Sequence, residues 1–153
     1  MPLVAIITGS KSDLPTLEAC IQALNDLGID HEVHVMSAHR APKKVQAFAE
    51  GADDAGVEVI IAAAGMAAHL PGVIASLTHL PVIGVPIAQS GGSAISGLDS
   101  LLSIVQMPPG IPVASMSVNG AKNAALFAAA ILALKHESIR KTLLEFRQRQ
   151  ATA

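Results

Sequence analysis

Short apolar runs alternate along this chain with stretches whose apolar residues recur every three or four positions, the signatures of buried strands and amphipathic helices. Leu3–Thr8 reads as a buried strand. Leu14, Leu17, Cys20, Ile21 and Leu24 then share one helical face, and Gly28 closes that helix. His31, Val33 and Val35 alternate with Glu32, His34 and Met36, which predicts a second strand. Pro42 opens a helix with Val45, Phe48, Ala49 and Ala52 on its apolar face, and Gly56 ends it. Val57–Ala63 is a third strand, β-branched as a parallel strand covered on both faces should be. A short helix is expected over Ala67–Leu77, a fourth strand over Pro81–Ile87 and a small-residue loop over Ala88–Gly97. A helix over Leu98–Gln106 and a fifth strand over Pro112–Val118 follow. Ala121–Leu134 is apolar nearly all round, which predicts a helix that is buried or at an interface. The most charged segment, Glu137–Gln150, reads as a C-terminal helix.

Repeated strand–helix alternation predicts an α/β protein with a parallel sheet and right-handed crossovers. The length of 153 residues suits a three-layer, flavodoxin-like order better than a barrel. No linker divides the chain, so residues 1–153 are expected to form one domain.

Composition sharpens this picture. Charged residues are only 14% of the chain, against about 25% in ordinary domains. Between Val59 and Ala121 the sole Asp, Glu, Lys or Arg is Asp99. Pro71, Pro81, Pro86, Pro108, Pro109 and Pro112 break this stretch, so no run approaches the roughly 20 apolar residues of a spanning helix. No membrane contact is expected; the missing charge instead predicts a homo-oligomer with large interfaces. A net charge of −2 argues against nucleic acid as a partner. Without Trp or Tyr, neither base stacking nor an aromatic flavin sandwich is available. One cysteine, Cys20, excludes an internal disulfide and suits a reducing cytosol, and nothing at the N-terminus reads as a signal peptide, so a cytoplasmic location is expected.

Ligands of open parallel sheets bind beyond the C-terminal ends of the strands. Four loops lie there: Gly9–Asp13, Ser37–Arg40, Ala64–Gly72 and Gln89–Gly97. In the first, Gly9, Ser10 and Ser12 precede a helix start whose N–H groups favour an anion. The same residues also serve plain capping, with Ser12 or Asp13 as N-cap; Asp13 suits either that or ribose hydroxyls. In the second, Arg40 offers a planar fork for phosphate beside Ser37 and Ala38, and His39 is placed to move protons near neutral pH. In the third, His69 is the lone polar side chain between Gly65 and Gly72, whose bare backbones would allow close approach of a planar ligand. His31, His34, His79 and His136 lie in strands or turns away from this edge. No HExxH, thiolate set or GxSxG elbow is present, so neither a metal site nor a serine hydrolase is expected. Strand one lacks the acidic cluster of a phosphoreceiver.

At these loops the sequence resembles the 5-(carboxyamino)imidazole ribonucleotide mutase family of purine biosynthesis. The motifs are GSKSD, SAHR, AAHLPG, LPVIGVP and GLDSLLSIVQMPPGIPV, in unbroken order from Val4 to about Leu134. The resemblance implies a flavodoxin-like octamer that needs neither metal nor organic cofactor. It places Ser10, Ser12 and Asp13 on the ribonucleotide, Ser37 and Arg40 on its phosphate, and Ala38, Gly65 and Leu70 around the imidazole. It makes His39 the general acid/base and His69 the support of the ring or the migrating carboxylate. The chain departs from the pattern at Met66, where a second glycine is usual, and at Ala63. Its Ala88–Gly97 loop is longer than usual, and its SVNGAKNAAL region shorter than in many bacterial mutases. Two other readings stay open: a carboxylase that uses free carbon dioxide on aminoimidazole ribonucleotide, whose third loop typically lacks HLPG, and a non-catalytic nucleotide-binding module.

Overall fold

The structure, a computed structural model, describes residues 1–89 and 95–153. Five parallel strands form one sheet in the order β2-β1-β3-β4-β5: β1 Val4–Thr8, β2 His31–Val35, β3 Val59–Gly65, β4 Val82–Ile87 and β5 Ala114–Ser115. That order is flavodoxin-like, with its topological switch point between β1 and β3. The helices are α1 Leu14–Asp26, α2 Pro42–Gly51, α3 Leu70–Leu77, α4 Leu98–Val105, α5 Ala121–Leu132 and α6 Glu137–Thr152.

Side-chain alternation along the strands builds a core on each face. Val4, Ile6, Val59, Ile61, Ile83 and Val85 meet α1, α5 and α6 on one side. Ala5, Ile7, Ile60, Ala62 and Val82 meet α2, α3 and α4 on the other. Helix α5 turns Ala121, Ala124, Ala125, Ala128 and Ala129 to the sheet, and these small side chains let it lie close. On the opposite face, a Cβ at Gly84 would stand 2.5 Å from Cγ2 of Ile104, so glycine there admits α4. Ile139 of α6 is buried in the first core, with Leu143 and Phe146 packed against it. The Cys20 thiol is buried and desolvation pushes its pKa up to about 12, which makes it a packing residue rather than a nucleophile. Among the described residues no helix is long and apolar enough to cross a membrane.

Several boundaries differ from the pattern reading. Helix α2 ends at Gly51, and turns carry the chain to Gly56 (φ 91°). Strand β3 begins at Val59, which pairs with Val4, the first residue of β1, and it runs on to Gly65. Helix α3 starts only at Leu70: Ala68 N–H bonds the Met66 carbonyl and His69 N–H that of Ala67, tight turns that are not helical. Strand β5 is two residues long, not seven. Pro112 has no N–H to give, and beyond Ser115 the backbone bonds to β4 come singly, from Met116 N–H to the Gly84 carbonyl and from Asn119 N–H to the Pro86 carbonyl.

Candidate active site

The C-terminal ends of β1, β2 and β3 open into a cleft of about 450 Å³. Gly9, Ser10, Ser12 and Asp13 line it from the first loop, Ser37, Ala38, His39 and Arg40 from the second, and Gly65, His69 and Leu70 from the third. The residues that the resemblance places on the substrate or in catalysis all line this cleft. Ala64, Met66, Ala67 and Gln89 complete the wall. Gly72 is the exception among the residues expected to face a ligand: its bare Cα points to the Met107 sulfur, where a Cβ would come within 2.9 Å, so it serves packing.

In the first loop Asp13 stands at the N-cap position of α1, as one of the two expected caps, but its side chain makes no capping bond. A 3-10 turn over Lys11–Asp13 precedes α1, and Ser10 is its N-cap, accepting from Ser12 N–H at 3.3 Å. The Ser10 and Ser12 hydroxyls share a bond of 2.8 Å. Asp13 is free of capping duty and is instead 4% exposed, with Oδ2 accepting from the buried Thr8 hydroxyl at 2.8 Å. Burial of a carboxylate with one hydroxyl donor leaves acceptor capacity that hydroxyls of a ligand can satisfy.

The second loop is tied to the first by Arg40, whose Nη2 donates to the Gly9 carbonyl at 2.9 Å, while its backbone N–H donates to Ser37 Oγ at 3.2 Å. On this side a second recess, about 370 Å³, adjoins the cleft and shares Gly9, Ser10, Ser37 and Arg40 with it. Lys11 and Lys44 join Arg40 around it, so this end is cationic. Lys44 lies in α2, one turn after Pro42, and reads from the sequence as an ordinary solvated helix residue; only the helix's position against β2 marks it.

The third loop brings His69 to His39. Their rings stand edge to face, 88° apart with centroids 4.9 Å apart, and His39 Nε2 lies 2.8 Å from His69 Nδ1. One of these nitrogens carries the hydrogen and the other accepts it, so the tautomers of the pair are linked. Nδ1 of His39 and Nε2 of His69 have no protein partner among the described residues. The remaining histidines have local occupations: His31 bonds the Ile29 carbonyl, His34 packs on Phe48, His79 meets Asp53 and His136 meets Glu58. Among the described residues no three His, Cys, Asp or Glu side chains are grouped as metal ligands would be.

Met66 adopts φ 56°, a left-handed conformation that suits glycine, and its side chain is 74% exposed. The position where a glycine is usual is therefore one where the backbone favours it. Gly65 beside it is also constrained, since a Cβ would lie 3.3 Å from the Ile87 carbonyl oxygen. In the fourth loop, Gln89 Nε2 donates to Ser12 Oγ at 3.4 Å. Ala88, Gln89 and Ile95–Gly97 of that loop are described; the small-residue stretch 90–94, expected to help enclose the site, lies outside the described residues.

Comparison with known proteins shows the family and the fold. N5-carboxyaminoimidazole ribonucleotide mutase of Pyrococcus abyssi is 55% identical over 148 residues, covering 97% of this chain and 83% of that protein. Phosphoribosylaminoimidazole carboxylase of Saccharomyces cerevisiae is 48% identical over 97% of this chain, but the match covers only 26% of that longer protein. The crystal structure of Treponema denticola PurE superposes with a TM-score of 0.87 at 27% identity, over 99% of this chain and 93% of that one. The family model described as AIR carboxylase matches residues 3–153, nearly the whole of the sequence that carries the sheet and the cleft, and the chain belongs to that family.

Proposed function

We propose that this protein converts 5-(carboxyamino)imidazole ribonucleotide to 4-carboxy-5-aminoimidazole ribonucleotide, an isomerase step of purine biosynthesis. The observation that carries this reading is the His39–His69 pair, held in the same cleft as a cationic recess and a buried carboxylate. Cationic groups, a buried carboxylate and a proton-transfer pair around one cleft suit the phosphate, ribose and base of a ribonucleotide. Arg40 and Ser37, with Lys11 and Lys44 near them, hold the phosphate. Asp13 takes ribose hydroxyls, with Ser10 and Ser12 beside it. Ala38, Gly65 and Leu70 frame the imidazole.

His39 donates a proton to the exocyclic carbamate nitrogen. The nitrogen–carbon bond breaks with its electron pair going to that nitrogen, which leaves an amine and carbon dioxide. The electron-rich ring carbon attacks the retained carbon dioxide and forms the new carbon–carbon bond. His39 then takes the proton from that ring carbon, and aromaticity returns. One proton is lent and recovered, so the balance needs no other reagent. His69 supports this by holding the tautomer of His39 through their shared hydrogen bond. Retention of carbon dioxide in a small apolar-walled site makes its recapture effectively unimolecular.

The whole chain, residues 1–153, acts as one such domain in the cytoplasm, assembled as a homo-octamer. Exposed apolar side chains support assembly: Val33 and Val35 on the edge strand β2, Leu98, Leu102 and Val105 along one side of α4, and Phe127 on α5. The mutase-named relative matches over most of its own length, while the carboxylase-named one carries long additional sequence, which favours the mutase over the free carbon dioxide reaction.

The test offers two substrates to protein whose mass has been measured by light scattering. Turnover of 5-(carboxyamino)imidazole ribonucleotide without bicarbonate, faster than its spontaneous decarboxylation, is expected from an octamer. Turnover only of aminoimidazole ribonucleotide with dissolved carbon dioxide would make the protein a carboxylase. Silence with both would leave a binding module, and a monomer of 15.6 kDa would overturn the assembly.

A further inference from the structure

The exit of β4 toward the cleft is held by a residue far along the chain. Asn119 follows β5 in the left-handed region, at φ 58°. Its carboxamide faces the backbone of Ala88: the Ala88 N–H donates to Oδ1 at 2.9 Å, and Nδ2 donates to the Ala88 carbonyl at 3.2 Å. The Asn119 N–H itself donates to the Pro86 carbonyl at 2.7 Å. The side-chain amide thus supplies the donor and acceptor that a further residue of β5 would have offered, after that strand has ended at Ser115. The next residue, Gln89, lines the cleft and reaches the Ser12 hydroxyl, which in turn is bonded to Ser10.

We propose that Asn119 is a positioning residue of this site: by clamping Ala88 it sets the Gln89 carboxamide against the Ser10–Ser12 pair, where the ribonucleotide is read. The proposal rests on the ribonucleotide reading of the cleft. Asparagine is suited on three counts. It tolerates the left-handed backbone, it both donates and accepts, and it is short enough to face a neighbouring peptide group. Aspartate would set a carboxylate against the Ala88 carbonyl, and glycine would keep the backbone but lose both bonds.

The experiment is a double-mutant cycle of Asn119→Gly and Gln89→Ala, read as KM and kcat for 5-(carboxyamino)imidazole ribonucleotide, with hydrogen exchange of the Ala88 amide measured alongside. Each single variant is expected to raise KM about tenfold, the effect of one lost hydrogen bond, with a smaller change in kcat. The double variant should be no worse than Gln89→Ala alone, because Asn119 acts through Gln89. Ala88 exchange should rise in Asn119→Gly. Additive losses in the cycle, or unchanged Ala88 exchange, would overturn the proposal. Should Asn119→Gly fail to fold by circular dichroism, Asn119→Asp takes its place in the same cycle and must show the same non-additivity. A wild-type protein without turnover would strike the function alone. The clamp would then be decided by Ala88 exchange and by the Gln89 side-chain amide resonance, which must shift in the Asn119 variant and would stay in place if the clamp is wrong.

Discussion

At the N-terminal end of the sheet, His136 and Lys135 share the Glu58 carboxylate, at 2.8 Å and 2.6 Å, and join the α5–α6 turn to the start of β3. At the C-terminal end, the hydrogen-bond partner of the His39 ring among the described residues is another imidazole, that of His69. A carboxylate favours a charged, stationary partner. A second imidazole gives orientation while leaving a proton free to move between ring nitrogens. The left-handed backbone positions also differ between the two ends. Turns leading to the N-terminal ends of strands place glycine where φ is positive, at Gly28 and Gly56. The non-glycine residues with positive φ among those described, Met66 and Asn119, both lie toward the C-terminal end. Of the two, Met66 lines the cleft and holds a left-handed backbone that its side chain disfavours, so strain sits beside the site.

The sharpest way to break this contrast is to exchange a histidine at each end. His39→Asn should lower kcat about 10²- to 10⁴-fold, the usual worth of a general acid/base, with the melting temperature unchanged. His136→Asn should keep turnover and lose about 1 kcal/mol of stability, the net worth of one partly exposed hydrogen bond. Steady-state kinetics and urea unfolding of the two variants decide it. If His39→Asn proves costly to stability and mild to turnover, the division of labour is wrong.

Next in size is the acid response of the latch. Burial raises the Glu58 pKa, but the hydrogen bonds and charges of Lys135 and His136 outweigh it and hold the carboxyl below its ordinary 4.5. A depressed folded-state pKa stabilises fully above the ordinary value and is lost as pH falls through the folded one. The contribution is therefore complete at neutral pH and fades below about pH 4.5. Because Lys135 is 71% exposed, solvent screens much of the pair and about 1 kcal/mol is expected. Unfolding of Glu58→Gln against wild type should differ at pH 7 and converge in acid; a difference that persists in acid would assign the effect to packing.

The smallest effect is expected at Met66. Met66→Gly removes the left-handed penalty but adds chain entropy to the unfolded state, for a net gain of about 0.5 kcal/mol, with turnover retained. A loss of turnover in a stabilised variant would show that the exposed thioether works in the reaction rather than tolerating its position.

Much of this molecule is legible from its residues. The β-branched run ending at Ala63 and the helical spacing from Leu14 to Leu24 arise from local rules, and they lie in β3 and α1 within two residues at most of the boundaries read. Pro112–Val118 misled because an apolar run beside a sheet need not pair along its length when prolines precede it. Ala67–Leu77 misled because the Ala68-to-Met66 and His69-to-Ala67 bonds, each closing a three-residue turn, hold Ala67 and Ala68 outside a helical conformation. The cleft residues were legible because the ends of parallel strands in this sheet order must share an edge, and the family motifs fall there. Lys44 and Asn119 carried no such mark: a helix lysine and a turn asparagine are ordinary in sequence.

The sequence by itself determined the alternation of strands and helices, the parallel sheet, the two cores and the edge on which polar loops gather, because each follows from periodicity over a few neighbouring residues. Only the tertiary structure decided that Thr8 holds a buried Asp13, that His39 touches a histidine 30 residues away, and that Asn119 reaches back 31 residues to Ala88. Such pairings depend on how the crossovers pack and on where each hydrogen bond points, and no local pattern of apolar and polar residues encodes either.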